Sequence, residues 1–402
     1  MYVAVIIPHI KDRTTANKGD MKKTASIFTF RFFDFEKNSV RIGGTETYSL
    51  NLATLFTRMG YDTTVYISLD KADKLNECTY RGFKVKEVAK GKSHDAAFQK
   101  IYSGNNGEGI YVVMTEDLKV HSKDKPNVIT IQHGIMWDNP GWAYSKRYQK
   151  GFRFSFRKFY RCHRYICRFK MVSNMVCVDY NYYNWLRTLH EIPDSMHLTV
   201  IPNAAAGAIT REEFEKKLDA ITDLKKSKIV FARRFTRFRG AEMFANVAKR
   251  LLAKYPGLDI TIAGDGELEG MLRKTFEGKE NVHITRYSTE ESIAFHKQFN
   301  IAVVPTIYSE GTSLSLCEAM AAGCLPMSSH VGGLTNIIID SYNGRLFYPS
   351  EEAMYNAFEE VLNMDLEAYK RMLRNSYETC VAAFVKNTWD ERWIKYINSL
   401  GL

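Results

Sequence analysis

IAVVPTIYSEGTSLSLCEAMAAGCLP, residues 301–326, is the stretch from which the fold can be read. Four apolar residues, Ile301 to Val304, precede a Gly-Thr-Ser turn at 311–313, a helix-favouring run through Met320 and a further apolar segment. A strand, a glycine-containing turn and a helix in that order form the unit from which parallel α/β sheets are built. A helix opened by such a turn presents unpaired backbone N–H groups and a positive dipole end, which suit a diphosphate. Glu310 begins the turn and Glu318 lies within the helix. Carboxylates on either side of the turn can accept hydrogen bonds from vicinal hydroxyls of a hexose or a ribose. By itself the pair would also suit two solvated glutamates, so the surrounding motifs have to decide.

Working outward, the same rhythm recurs in KIVFARR (228–234), LDITIAGDG (258–266) and NVHITRY (281–287), and an earlier series precedes it. That series comprises VAVIIP (3–8), DTTVYI (62–67), GIYVVM (109–114), NVITIQHG (127–134), MVCV (175–178) and LTVIPN (198–203). Short apolar runs of this kind are strands buried on both faces. Two successive α/β units are therefore expected, 1–202 and 203–386, with the connection near 203–226. The tail 387–402 is expected to form an amphipathic helix that must bury Trp389, Trp393 and Ile397, and crossing back to the first domain is one option.

Composition agrees with two globular domains. The 402 residues exceed what one core usually supports, and 45% hydrophobic with 25% charged residues is ordinary for a folded chain. The net charge of +11 favours phosphate-bearing partners. Seven scattered cysteines predict reduced thiols in a cytoplasmic chain, and Cys162 and Cys167 have no second Cys or His pair at zinc-ligand spacing, so no metal is expected. The opening MYVAVIIPHI has neither a basic leader nor a cleavage site, and no apolar run approaches the ~18 residues of a spanning helix. Any membrane contact is expected to be peripheral.

The segment from Glu310 to Glu318 resembles the Glu-x7-Glu motif of retaining GT-B glycosyltransferases, in particular family four. FARRFTRFRG (231–240) resembles that family's Gly-Arg-Leu-x3-Lys-Gly segment, IAGDGE (262–267) its Gly-x-Gly-x segment, and VGGLTNII (331–338) its Gly-Gly-x-x-Glu segment. With VIPN (200–203), RIGGTETYSLNLATLF (41–56) and IQHG (131–134), the likeness runs over nearly the whole chain in the family's order. The resemblance implies two Rossmann-like domains facing across a cleft and transfer of a sugar from a nucleoside-diphosphate donor without a metal. It implies that Glu310 binds donor-sugar hydroxyls, Glu318 the ribose, and Arg234 and Arg239 the diphosphate, the last assisted by amides at Gly311, Thr312 and Ser313. Gly43 and Gly44 would let the backbone approach a phosphate or sugar. His133 would sit near the anomeric carbon, while Gly264, Gly266, Arg286 and Tyr287 are the positions facing the base. The sequence departs from the family pattern at Arg239 (usually Lys), Ala232 (Gly), Asn336 (Glu) and Asp179 (often Ser), and PNAAAG lacks the usual PNG-x-Asp.

Competing readings are a sugar-nucleotide epimerase of the same architecture, a dinucleotide-binding oxidoreductase suggested by GDGELEG (264–270), and a basic binding module without catalysis. The epimerase would be expected to lack the Glu310/Glu318 arrangement, and no helix-turn-helix, RNP-like or zinc-finger pattern points to nucleic acid. Asp34-Phe35-Glu36 is read as a solvated loop rather than a metal-binding acidic motif. YSKRYQKGFRFSFRKFYRCHRYICRFK (144–170) contains no acidic residue. As a helix it gathers Arg153, Arg157, Arg161, Arg164 and Arg168 on one sector and Phe152, Phe156, Phe159, His163 and Ile166 on the next. It is expected to bury the apolar sector and turn its arginines either toward anionic headgroups or an acidic, lipid-linked acceptor, or merely into solvent.

Overall fold

The computed structural model describes residues 23–41, 43–70, 74–135, 137–139, 143 and 150–402. The apolar opening 3–8 and residues 144–149 of the basic segment lie outside these described residues. The first domain begins with strand β1 (Thr24–Thr29), a small hairpin of β2 (Phe33–Asp34) and β3 (Ser39–Val40), and helix α1 (Gly44–Arg58). It continues through β4 (Asp62–Leu69), β5 (Glu77–Tyr80), β6 (Phe83–Ala89), α2 (His94–Gly104), β7 (Ile110–Val113) and β8 (Val128–Gln132). Helix α3 (Gly151–Ile166), β9 (Asn174–Cys177), α4 (Tyr180–Leu189) and β10 (His197–Val200) complete it.

These strands form one eight-stranded sheet in the order β10-β9-β8-β7-β1-β4-β6-β5, parallel throughout except for the β5–β6 hairpin. β1 sits inside this sheet, with Ile27 registered to Val65 on one side and Val112 on the other. The sequence reading overlooked it because its apolar run is short. Asp34-Phe35-Glu36 falls at the β2–β3 hairpin rather than in an open loop.

The second domain starts with α5 (Arg211–Asp219), whose entry is a capping box between Thr210 and Glu213. β11 (Lys228–Ala232), α6 (Ala241–Lys254), β12 (Asp259–Ala263), α7 (Glu269–Thr275), β13 (Val282–Thr285) and α8 (Ser292–His296) follow. Next come β14 (Ile301–Val304), α9 (Leu314–Ala321), β15 (Leu325–Ser329), β16 (Arg345–Phe347), α10 (Glu351–Leu362) and α11 (Leu366–Ala383). The six strands are all parallel in the order β13-β12-β11-β14-β15-β16. Their interior residues are buried on both faces, as the continuous apolar runs required.

The final helix α12 (Lys386–Ser399) crosses back. Trp389, Trp393, Tyr396 and Ile397 are buried in the core of the first domain with Leu52, Phe56 and Val176. Asp390 fastens α12 to α1 through an ion pair with Arg58 at 2.6 Å. Two segments therefore pass between the domains side by side, and the Ala205 N–H donates to the Phe384 carbonyl at 2.8 Å where they meet.

Helix α3 departs from expectation. It ends at Ile166 in a short 3-10 turn, Cys167–Met171, and only Cys162 and Ile166 of its own residues are buried. Phe152, Phe156 and Phe159 are 82%, 58% and 67% exposed, so the aromatic sector faces outward instead of into the core. Its buried apolar contact with the protein is at its C-terminal end, where Ile166 joins a cluster with Trp137, Tyr182 and Leu186.

Candidate active site

The loops that follow β8 and β9 meet those that follow β14 and β15, so the carboxyl ends of the two sheets face each other. Glycines set this closeness. A Cβ on Gly333 would stand 2.5 Å from the Gly311 carbonyl carbon, and one on Gly134 would stand 3.2 Å from the Gly311 nitrogen. The Thr312 hydroxyl donates to the Val178 carbonyl, and Asn203 Nδ2 donates to the Thr312 carbonyl at 2.6 Å. Asn336 and Asp179 belong to this seam. Asn336 Oδ1 accepts from the Tyr180 N–H at 3.0 Å, and Asp179 caps α4 through the Asn181 N–H.

Glu310 lies at the centre. Arg233 donates to its Oε2 at 2.6 Å, Thr306 donates to the same oxygen at 2.9 Å, and Arg239 also donates to it. Burial alone would raise the Glu310 carboxyl, but the Arg233 and Arg239 guanidiniums and the Thr306 hydroxyl outweigh it and hold the group below the usual range. Arg233 is thus paired with Glu310, a contact the sequence did not suggest, and Arg239, expected at the diphosphate, reaches the same carboxylate. Arg234 projects its field onto Glu46 in the first turn of α1, across the cleft. Consecutive residues leaving a strand point to opposite sides, so only one of the two can face Glu310.

Two helix N-termini open onto the same space. Neither Gly43, which precedes α1, nor Ser313, which precedes α9, provides a side-chain cap. A Cβ on Gly44 would lie 3.9 Å from Leu314 Cδ1, so the two helix ends are neighbours. The Ser313 end of α9 thus presents backbone N–H groups without a side-chain cap and a positive dipole end, which would suit an anion, whereas at α1 the buried Glu46 carboxylate accepts from its own backbone N–H and pairs with Arg31 at 3.0 Å. Gly43 and Gly44 stand at the entry of α1, and Gly311, Thr312 and Ser313 at that of α9.

Glu318, further along α9, lies beside Ser292 and Tyr287, and burial raises its carboxyl. Tyr287 stacks on Phe295 with ring centroids 4.3 Å apart. Arg286 is exposed and paired with Glu269 at 2.7 Å. Gly264 and Gly266 have a reason of their own: Cβ atoms there would stand 2.1 Å from the Arg233 carbonyl oxygen and 2.7 Å from that of Phe235. The close approach they permit is to the protein's own arginine-bearing loop.

His133, after β8, is held by a hydrogen bond to the Met114 backbone while Nε2 has no partner. Burial pushes the imidazole down to about 4, so it is neutral near pH 7. Its ring meets Tyr48 edge to face at 5.3 Å, and the Tyr48 hydroxyl accepts from Trp393 Nε1 at 3.1 Å. The returning helix therefore supports this histidine through one intervening side chain.

Helix α3 borders the cleft: burial raises the Tyr308 phenol, and Arg239 and then Arg161 partly offset it. Arg153, Arg157 and Arg164 are exposed. Arg168 is engaged otherwise, in an ion pair with Asp117 at 2.6 Å and over the Tyr165 ring at 3.8 Å. Among the described residues, potential metal ligands converge at His163, Cys167 and His190, away from Glu310; spacing in the sequence had not suggested this group.

Residues 211–379 match the family model described as Glycosyl transferases group 1. D-inositol 3-phosphate glycosyltransferase of Arthrobacter sp. (strain FB24) is 26% identical over 169 residues, which is 39% of this chain and 39% of that protein. The chain thus spans well under half the length of this curated relative. Sucrose-phosphate synthase from Thermosynechococcus elongatus superposes with a TM-score of 0.67 at 15% identity, covering 94% of this chain and 99% of that one. Anabaena HepE in complex with UDP and glucose gives a TM-score of 0.64 at 12% identity, covering 93% and 99%. Together with the two facing Rossmann-like domains, these superpositions establish the GT-B fold.

Proposed function

We propose that this chain transfers a sugar from a nucleoside-diphosphate sugar to a hydroxyl of a glycan or lipid-linked acceptor, with retention of anomeric configuration and no metal at the reacting centre. The observation that carries the reading is the Glu310–Arg233–Arg239 cluster beside the uncapped N-terminus of α9, opposite that of α1. The group 1 match over 211–379 supports it, and so does the UDP bound by HepE, which makes UDP-sugars the first donors to test.

In this reading the bond between the anomeric carbon and the β-phosphate oxygen breaks, and the acceptor oxygen bonds to that carbon. The acceptor proton passes to the departing phosphate. Arg234, Arg239 and the amides around Gly311 and Thr312 stabilise the growing phosphate charge, which is mainly an electrostatic task. Arg233 and Thr306 fix Glu310 Oε2 and leave Oε1 to orient sugar hydroxyls. Glu318 takes the ribose, and its neighbour Tyr287 marks the base end. His133 accepts a sugar hydroxyl at Nε2.

The test is a panel of sugar nucleotides incubated without acceptor. Slow hydrolysis of one donor class, with nucleoside diphosphate released, is expected; no hydrolysis and no binding of any sugar nucleotide overturns the reading. Epimerisation of the donor would favour the rival enzyme.

The acceptor-side reading rests on α3, where exposed phenyl rings stand among exposed arginines beside the cleft. Such a helix suits an anionic membrane surface on the cytoplasmic side, with the phenyl rings inserted between headgroups. Salt-sensitive binding to vesicles containing anionic lipid is expected, weakened when Arg157, Arg161 and Arg164 become Glu while donor hydrolysis is retained. Equal binding to an oligonucleotide would point to a general polyanion surface. Indifference to both at low salt would assign the acceptor to soluble glycans.

A further inference from the structure

We infer that His163, Cys167 and His190 form a zinc site on the first domain, separate from the sugar-transfer site. One ligand atom from each of the three lies within 4.8 Å of those from the others. Cys167 Sγ stands 3.7 Å from His163 Nε2 and 3.8 Å from His190 Nε2. In a tetrahedral site with Zn–S of about 2.3 Å and Zn–N of about 2.0–2.1 Å, the S···N edge is roughly 3.6 Å. The two S···N separations are within a few tenths of an ångström of that edge, while the two ring nitrogens, within 4.8 Å of each other, would draw in toward the roughly 3.4 Å N···N edge of a tetrahedron by rotation of the exposed His163 side chain.

The local fold explains the convergence. His163 and Cys167 are four residues apart, so they share a face at the end of α3. His190 stops α4, and its ring packs on the buried Phe169 with centroids 5.2 Å apart, which fixes its direction. His163 lies stacked near Phe159.

The donor set chooses the metal. One thiolate and two imidazoles suit zinc, whereas calcium and magnesium require oxygen ligands. Binding replaces the thiol proton with zinc and releases one proton to solvent. A water would complete the tetrahedron on the exposed His163 side.

The consequence is mechanical. α3 makes few apolar contacts, so a metal joining its last turn to the end of α4 would fix the helix that carries the exposed aromatic and arginine residues. α4 begins at the cleft with Tyr180, and its ten residues place the zinc about 15 Å away along the helix. Donor chemistry is therefore expected to be independent of zinc.

The test uses the full chain, freed of metal by chelation and titrated with Zn²⁺ alone and with Co²⁺. One zinc per chain and a thiolate-to-cobalt charge-transfer band are expected. Cys167→Ser should abolish the band, and His163→Gln should weaken zinc by at least the roughly 10–100-fold that even outer-shell partners contribute. His163 is exposed, so its variant tests the site even if Cys167→Ser fails to fold. Absence of stoichiometric zinc, a cobalt spectrum with oxygen ligands only, or loss of the band in Cys78→Ser but not in Cys167→Ser would overturn the proposal.

Discussion

Arg233 holds Glu310 at 2.6 Å with side chains only 7% and 10% exposed, and Arg239, 35% exposed, reaches the same carboxylate oxygen from the cleft side. The two arginines consequently have different duties. Removing Arg233 leaves a buried carboxylate with one cation fewer, and breaking a buried pair in this way costs about 3–5 kcal/mol. Arg233→Ala should therefore lower the melting temperature and activity together. Arg234→Ala should lower turnover by roughly 10²–10³-fold with little change in melting temperature, since its charge is used as the phosphate departs. Thermal melts run beside donor-hydrolysis assays decide this; unchanged turnover in Arg234→Ala would remove that residue from the phosphate site.

The two glutamates should separate in a titration with bare nucleoside diphosphate. Glu318→Ala removes a charged acceptor assigned to the ribose and should weaken binding by about 1.5–3 kcal/mol, roughly 10–150-fold. Glu310→Ala should leave that affinity nearly intact while sugar transfer is lost. Calorimetry showing equal losses would contradict the division.

Tyr48 joins the returning helix to His133, so its hydroxyl and its ring can be tested apart. Tyr48→Phe keeps the ring against His133 but leaves the buried Trp393 N–H without its acceptor, at a cost of about 1–3 kcal/mol. Turnover should be retained. Tyr48→Ala removes both and should also impair turnover; equal kinetic behaviour of the two variants would show that the ring does not support His133.

Acid should destabilise the fold through His296. This residue is 1% exposed, and burial holds its imidazole down at about 4 against an ordinary 6.5. Between those values the unfolded chain binds a proton that the folded chain refuses, so stability falls as pH drops from 6.5 to about 4. The loss is about 3 kcal/mol from this group. Asp179, raised to about 6 by burial, acts in the opposite sense over an overlapping window. The difference between the wild type and His296→Gln in urea midpoint against pH isolates the histidine. Parallel curves would mean that His296 is not kept neutral.

Chelation gives a further expectation. Since the phosphate charge is assigned to arginines and backbone amides, donor hydrolysis should survive EDTA even when zinc is stripped from His163, Cys167 and His190. Loss of hydrolysis on chelation, with recovery on adding Mg²⁺ or Mn²⁺, would place a metal at the reacting centre.

The residues alone determined the alternation of strands and helices, because strands buried on both faces must be continuously apolar. They also determined that a helix follows Ser313 and that Trp389, Trp393 and Ile397 had to be buried somewhere. The tertiary structure decided where, and decided quantities that depend on direction rather than composition. Arg233 and Arg234 are chemically identical neighbours, and only the path of the loop after β11 sets the first in an ion pair with Glu310 and leaves the second close enough to lower the carboxyl of Glu46. Periodicity assumed one continuous helix, whereas α3 stops at Ile166 and leaves Arg168 in the following turn, paired with Asp117; nor could it say which sector meets the protein, because no local rule reveals that this helix is buried only toward its C-terminal end. His163, Cys167 and His190 are spread over 28 residues in the sequence and share one small volume only because α3 and α4 end side by side.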